Sequence, residues 1–118
     1  MQDRAALVTN ARRSILKGSK SFAIASHLFD RVTRQRVWLL YAWCRRCDDI
    51  IDAQDHGGAL GNQSGAAERL AQVREKTALA FAGKDAGDPA FDALGLVARE
   101  TGLTLDMARD VIDGFALD

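Results

Sequence analysis

From Val37 to Asp52 apolar residues return at steps of three and four and then occupy most of the turns between. Val37, Leu40, Tyr41, Cys44, Asp48, Ile51 and Asp52 form one such series, while Trp38, Leu39, Ala42, Trp43, Cys47 and Ile50 fill much of the remaining circumference. This periodicity belongs to a helix of 3.6 residues per turn and not to a strand. A helix apolar on nearly every side is mostly buried, so the rest of the chain must wrap it. With Thr33 as its cap, this helix is expected to run to about Asp55.

The flanking sequence supplies further helices and no strands. A single proline, ten glycines and the lack of any sustained period-two alternation point to an all-α chain. A first helix is expected over residues 3–17, with Ala6, Leu7, Ala11, Ile15 and Leu16 as its apolar stripe and Gly18 as its end. Ser19 and Ser21 offer caps for a short second helix through Phe22, Ala23, Ile24 and Leu28. Residues 56–65 are rich in glycine and amides and read as an internal loop. A helix over 66–82 follows, with Leu70, Val73, Thr77, Ala80 and Phe81 inward, and Gly83 closes it. Asp88-Pro89 pairs an N-cap with a proline at the first helical position, starting a helix that Gly102 terminates near Thr101. Thr104 caps a last helix through Leu105, Ala108, Val111, Ile112 and Phe115. The sequence then stops at Asp118 without a terminating glycine or a basic last turn, which reads as a chain cut inside a helix.

At 118 residues the chain is expected to form one domain unit. Sixteen basic and sixteen acidic residues cancel, so no overall field draws in nucleic acid, and any anion site must be local. The apolar run from Val37 to Cys44 is far shorter than the roughly 20 residues that span a bilayer. The expectation is a cytoplasmic protein whose membrane contact is peripheral at most. Cys44 and Cys47 have zinc-like spacing, but with no second cysteine pair and only His27 and His56 to join them, they read as core thiols.

The chemistry concentrates at Asp48 and Asp52. Four residues apart on a helix, their carboxylates share a face and repel unless a cation compensates. A pair of aspartates on a helix is ordinarily a solvated face, yet here tryptophans, a tyrosine and cysteines leave little solvated face to offer. Magnesium suits the pair, because it takes oxygen ligands and is commonly held by one or two carboxylates together with a substrate's phosphates. Arg45 lies one turn back and can fork onto a phosphate. Asp49 is rotated about 100° from Asp48 and is expected to pair with an arginine instead.

Two blocks, Gly18-Ser-Lys-Ser-Phe22 and Leu40-Tyr-Ala-Trp-Cys-Arg45 running into Cys47-Asp-Asp-Ile-Ile-Asp52, resemble in order and spacing the opening of the squalene/phytoene synthase family, and the Trp43-Cys44-Arg45 version resembles its phytoene-forming branch. The resemblance implies an all-α isoprenoid synthase fold and condensation of two geranylgeranyl diphosphates to phytoene, with magnesium or manganese and no nicotinamide. It makes Asp48 and Asp52 metal ligands, Arg45 and Ser21 diphosphate contacts, and Ser19, Phe22 and Tyr41 cavity-lining residues near the reacting ends. Gly18 stands where some relatives have a histidine, which removes one phosphate donor.

Family members are more than twice as long, and the resemblance puts their second aspartate-rich helix beyond Asp118. The chain alone is therefore expected to be inactive and, with cavity-lining faces exposed, to self-associate. Competing readings are a squalene or dehydrosqualene synthase, and a non-catalytic helical interaction module. A di-iron bundle is disfavoured because its Glu-x-x-His pairs are missing.

Overall fold

A computed structural model describes residues 3–52 and 63–117. The described chain is helical throughout: α1 (Arg4–Gly18), α2 (Lys20–Ala25), a 3₁₀ turn (Ser26–Leu28), α3 (Arg31–Asp52), α4 (Gln63–Phe81), α5 (Pro89–Thr101) and α6 (Leu105–Leu117).

Caps set most of the boundaries. The Asp3 carboxylate accepts from the Ala6 amide at 2.8 Å and starts α1. Ser19 serves two helices, since its own amide donates to the Ile15 carbonyl at the end of α1 while its hydroxyl accepts from the Phe22 amide at the start of α2. Asp88 accepts from the Ala90 amide ahead of Pro89, and Gly102, at φ +78°, closes α5 in the left-handed conformation. Thr104 accepts from the Met107 amide at 3.2 Å and caps α6 as the sequence predicts.

Three boundaries differ from expectation. Asp30, not Thr33, opens α3: its carboxylate accepts from Thr33, and these bonds hold its pKa below the ordinary aspartate range. Thr33 therefore sits inside the first turn. The loop expected over 56–65 lies outside the described residues as far as 62, and α4 begins at Gln63, earlier than the glycine-rich composition suggests. The short second helix stops at Ala25, short of Leu28, and Ile24 within it and Leu28 beyond it stand 72% and 89% exposed.

Helices α3 and α5 share two cores. Leu7, Ala11 and Ile15 of α1 pack with Ala23, Trp38, Leu39, Ala42, Ala93 and Val97. Farther along, Trp43, Cys47 and Ile50 of α3 pack with Val73, Phe91, Leu94, Ala108 and Ile112. Two buried tryptophans pin α3: Trp38 donates to the Ser26 hydroxyl at 2.9 Å and Trp43 to the Thr77 hydroxyl at 3.3 Å. Glu100 joins three helices by accepting from Arg4 and Arg36 at 2.7 and 2.9 Å, which depresses its pKa to about 2. Ala6 and Leu16, placed in the α1 stripe by sequence, are exposed. The close helices α4 and α5 need Gly95, where a Cβ would lie 2.9 Å from the Ala80 carbonyl oxygen.

Candidate active site

The two residue series read on α3 resolve into two flanks. Trp38, Leu39, Ala42, Trp43, Cys47 and Ile50 are its buried residues. The series that first marked the helix is the less buried one: Val37, Tyr41, Cys44, Asp48 and Ile51 are half-buried, and Leu40 and Asp52 are exposed. The helix is thus one-sided, because α1 and α5 cover the tryptophan flank while the aspartate flank is left partly open.

Asp48 and Asp52 line a cleft of about 480 Å³ with Ile51, Ala66, Ala67, Leu70, Phe115 and Ala116. Carboxylates here meet an apolar wall built by α4 and α6. Sequence reasoning missed Leu70 and Phe115 as neighbours of the aspartates, since nothing in their local spacing reports which helices close on α3.

At the other end of the same flank the glycine-serine block meets Tyr41. The Phe22 and Tyr41 rings lie 6.2 Å apart. Gly18 packs against the Tyr41 hydroxyl so closely that a Cβ has no room. Glycine at residue 18 therefore lets Tyr41 lie over the end of α1. Ser19 is committed to capping α2, whereas Ser21 is exposed on that helix.

Arg45 is drawn sideways. Its Nε lies 3.2 Å from Asp49, as expected for Asp49, and both line a separate cleft of about 430 Å³ with Arg13, Lys17, Arg46 and Asp88. Arg46 donates to Asp88 at 2.7 Å and ties α3 to the N-terminus of α5. In this structure Arg45 and the Asp48–Asp52 pair line different clefts.

The donor chemistry fits a hard divalent cation. Two carboxylates one helical turn apart can provide part of an oxygen shell, leaving positions for water or phosphate oxygens. Among the described residues no cluster of three histidine, cysteine or acidic side chains forms a metal cage. Burial pushes the Cys44 thiol up to about 11 and Cys47 higher still, so both stay protonated and neutral near pH 7, as core thiols do.

The family model for squalene/phytoene synthase matches residues 15–118, and so takes in the serine block, all of α3 and the helices that form the cleft. The chain belongs to the squalene/phytoene synthase family. It is 48% identical over 114 residues to a phytoene synthase of Pseudescherichia vulneris and 44% identical over 117 residues to a 15-cis-phytoene synthase of Pantoea ananas, in each case over 95% of this chain and 37% of the relative. A 15-cis-phytoene synthase of Synechococcus elongatus is 30% identical over 91% of the chain. The chain thus spans about a third of the length of these relatives. No solved structure matches it. Among the described residues no helix is long and apolar enough to cross a membrane.

Proposed function

We propose that this chain supplies the first carboxylate wall of an enzyme that condenses two geranylgeranyl diphosphates head to head into phytoene. The supporting observation is the cleft in which Asp48 and Asp52 stand beside Ile51, Leu70 and Phe115. Ionising an allylic diphosphate needs positive charge around the departing phosphates and a dry apolar surface for the carbocation. The aspartates of α3 offer oxygen ligands for a cation that would carry that charge, and Ile51 with Leu70 of α4 and Phe115 of α6 offers the apolar surface.

Asp48 and Asp52 would hold magnesium or manganese, which when bound supplies positive charge to the leaving diphosphate. Arg45, released from Asp49, would fork onto phosphate oxygens, and Ser21, exposed on α2, would donate to them. Phe22 and Tyr41 would pack along the hydrocarbon chain and exclude water, with Ser19 holding α2 in register. No nicotinamide is required for phytoene formation. Contact with a membrane, if made, is peripheral, and the isolated chain is proposed to be inactive and to self-associate.

The test is a chimera in which residues 1–118 replace the matched portion of the Pseudescherichia vulneris relative. Incubated with geranylgeranyl diphosphate and magnesium, it should form phytoene, and Asp48→Asn and Asp52→Asn should each lower the rate at least a hundredfold. Turnover of farnesyl diphosphate alone would reassign the chain to the squalene-forming branch. A folded chimera inactive on both substrates would favour the non-catalytic module.

A further inference from the structure

Helices α1 and α3 turn matching faces toward the second cleft, of about 430 Å³. Asn10, Arg13, Ser14 and Lys17 line it from α1, at the steps of three and four that gather residues on one face. Ala42, Arg45, Arg46 and Asp49 line it from α3 at the same steps, and the start of α5 adds Asp88. Four cations there meet two carboxylates, a local excess of two positive charges in a chain whose formal net charge is zero. In a neutral chain such an excess comes from packing and not from composition.

Both carboxylates are already engaged. Arg46 donates to Asp88 at 2.7 Å, and Arg45 stands 3.2 Å from Asp49. Asp88 also accepts from the Ala90 amide as the cap of α5, so the binding capacity of this cleft rests on side chains and not on a helix terminus. On α1, by contrast, Arg13 and Lys17 make no ion pair and no side-chain hydrogen bond among the described residues. One helical turn apart, their like charges repel, as those of Asp48 and Asp52 do, and an anion between them relieves the repulsion. Half-buried Ser14 adds a hydroxyl donor beside them.

We infer that this cleft binds free inorganic diphosphate without a metal ion, held by Arg13, Lys17 and Ser14 with Arg46 across the groove. Two features select the ligand. The cations stand on two walls, so a guanidinium can fork onto two oxygens of one phosphate while the ammonium of Lys17 serves the next as a point charge. The apolar lining is confined to Ala42, Pro89 and Ala90, which offer no surface to a prenyl or acyl chain, whereas Ile51, Leu70 and Phe115 of the aspartate cleft do. An anion of two joined phosphates and no hydrocarbon answers both features. The site itself is independent of the function proposed above. Its role rests on that reading: the condensation sheds diphosphate from each substrate, and this cleft receives the released ion.

The experiment is calorimetric titration of inorganic pyrophosphate into the 118-residue chain and into the chimera, in EDTA without added metal. Binding should saturate and be at least tenfold tighter than that of inorganic phosphate. Arg13→Ala and Lys17→Ala should each weaken it at least fivefold, and Asp49→Asn, which removes a competing carboxylate, should tighten it. Arg12→Ala, exposed on the same helix and outside the cleft, should leave it unchanged, as should Asp48→Asn. Arg13 and Lys17 are exposed, so an unchanged Tm accompanies their loss of binding. Equal weakening by Arg12→Ala would reveal diffuse attraction and overturn the inference, as would binding that needs magnesium or that Asp48→Asn removes. Capture of anionic phospholipid vesicles through Arg13 and Lys17, without competition from pyrophosphate, would assign the cleft to a headgroup and overturn it too. Metal-free binding in a folded chimera that forms no phytoene supports the site and overturns its role with the proposed reaction; an active chimera without such binding overturns the site alone.

Discussion

The two flanks of α3 have similar apolar content and opposite fates. On one, Trp38, Leu39, Ala42, Trp43, Cys47 and Ile50 are covered by α1, α4, α5 and α6. On the other, Leu40, Tyr41, Cys44, Asp48 and Ile51 remain half-covered or exposed. The covered flank tolerates polar atoms only where each finds a partner, as with the two indoles and their hydroxyls. The open flank keeps carboxylates beside apolar groups, an arrangement that costs free energy in a sealed core and suits a site that receives charged and hydrocarbon ligands together. Stability and proposed chemistry are thus assigned to different sides of one helix.

Four changes test that division. Trp43→Ala should have the largest effect: the side chain is 1% exposed and also satisfies Thr77, so about 3–5 kcal/mol of stability should be lost in urea unfolding. A loss below about 1 kcal/mol would show that the covered flank is not a packed core. Gly95→Ala should cost about 2 kcal/mol, since its Cβ would press on the Ala80 carbonyl and separate α4 from α5.

The Glu100 clamp, which fixes α1 on the covered side of α3, makes stability depend on pH. Its carboxylate pKa is depressed to about 2 from an ordinary value near 4.5, chiefly by the hydrogen bond from Arg4 and then by Arg36. The folded form therefore binds fewer protons than the unfolded form between those values. The clamp's contribution is complete above about pH 4.5 and falls away as pH drops toward 2. With both arginines about a third exposed, solvent screening reduces it to about 1–2 kcal/mol. Glu100→Gln should flatten the Tm-versus-pH curve in that window; an unchanged slope would mean that the clamp contributes nothing.

The smallest stability effect is expected on the open flank. Asp48→Asn should change unfolding free energy by less than about 0.5 kcal/mol, because it removes a charge from an open cleft and relieves repulsion from Asp52. Magnesium-dependent binding of inorganic pyrophosphate, followed by calorimetry, should weaken at least tenfold. A large stability loss would make Asp48 a structural residue and would blur the division between flanks.

Much of this was legible in the chain itself. Asp88-Pro89 with Gly102, and Thr104 after it, bounded α5 and α6 because capping chemistry acts over three or four residues. That Asp49 pairs with an arginine followed from its rotation away from Asp48; that the arginine is Arg45, read in the sequence as a phosphate contact, is what the structure adds. Thr33 was misplaced as a cap because Asp30, three residues earlier, already opens the helix, its carboxylate accepting from Thr33 itself.

Sequence by itself determined that the chain is helical, that α3 is its central element, and that Asp48 and Asp52 share one of its faces, since helical periodicity fixes which residues lie together on a single rod. Tertiary structure alone decided which face of that rod is covered. Both series on α3 carry apolar residues at helical steps, and only the positions of α1, α4, α5 and α6 select the Trp38–Trp43 side for burial. The same packing sets Phe115 and Leu70 beside the aspartates and lays Tyr41 over Gly18. These contacts join residues far apart in the chain, and local spacing carries no record of them.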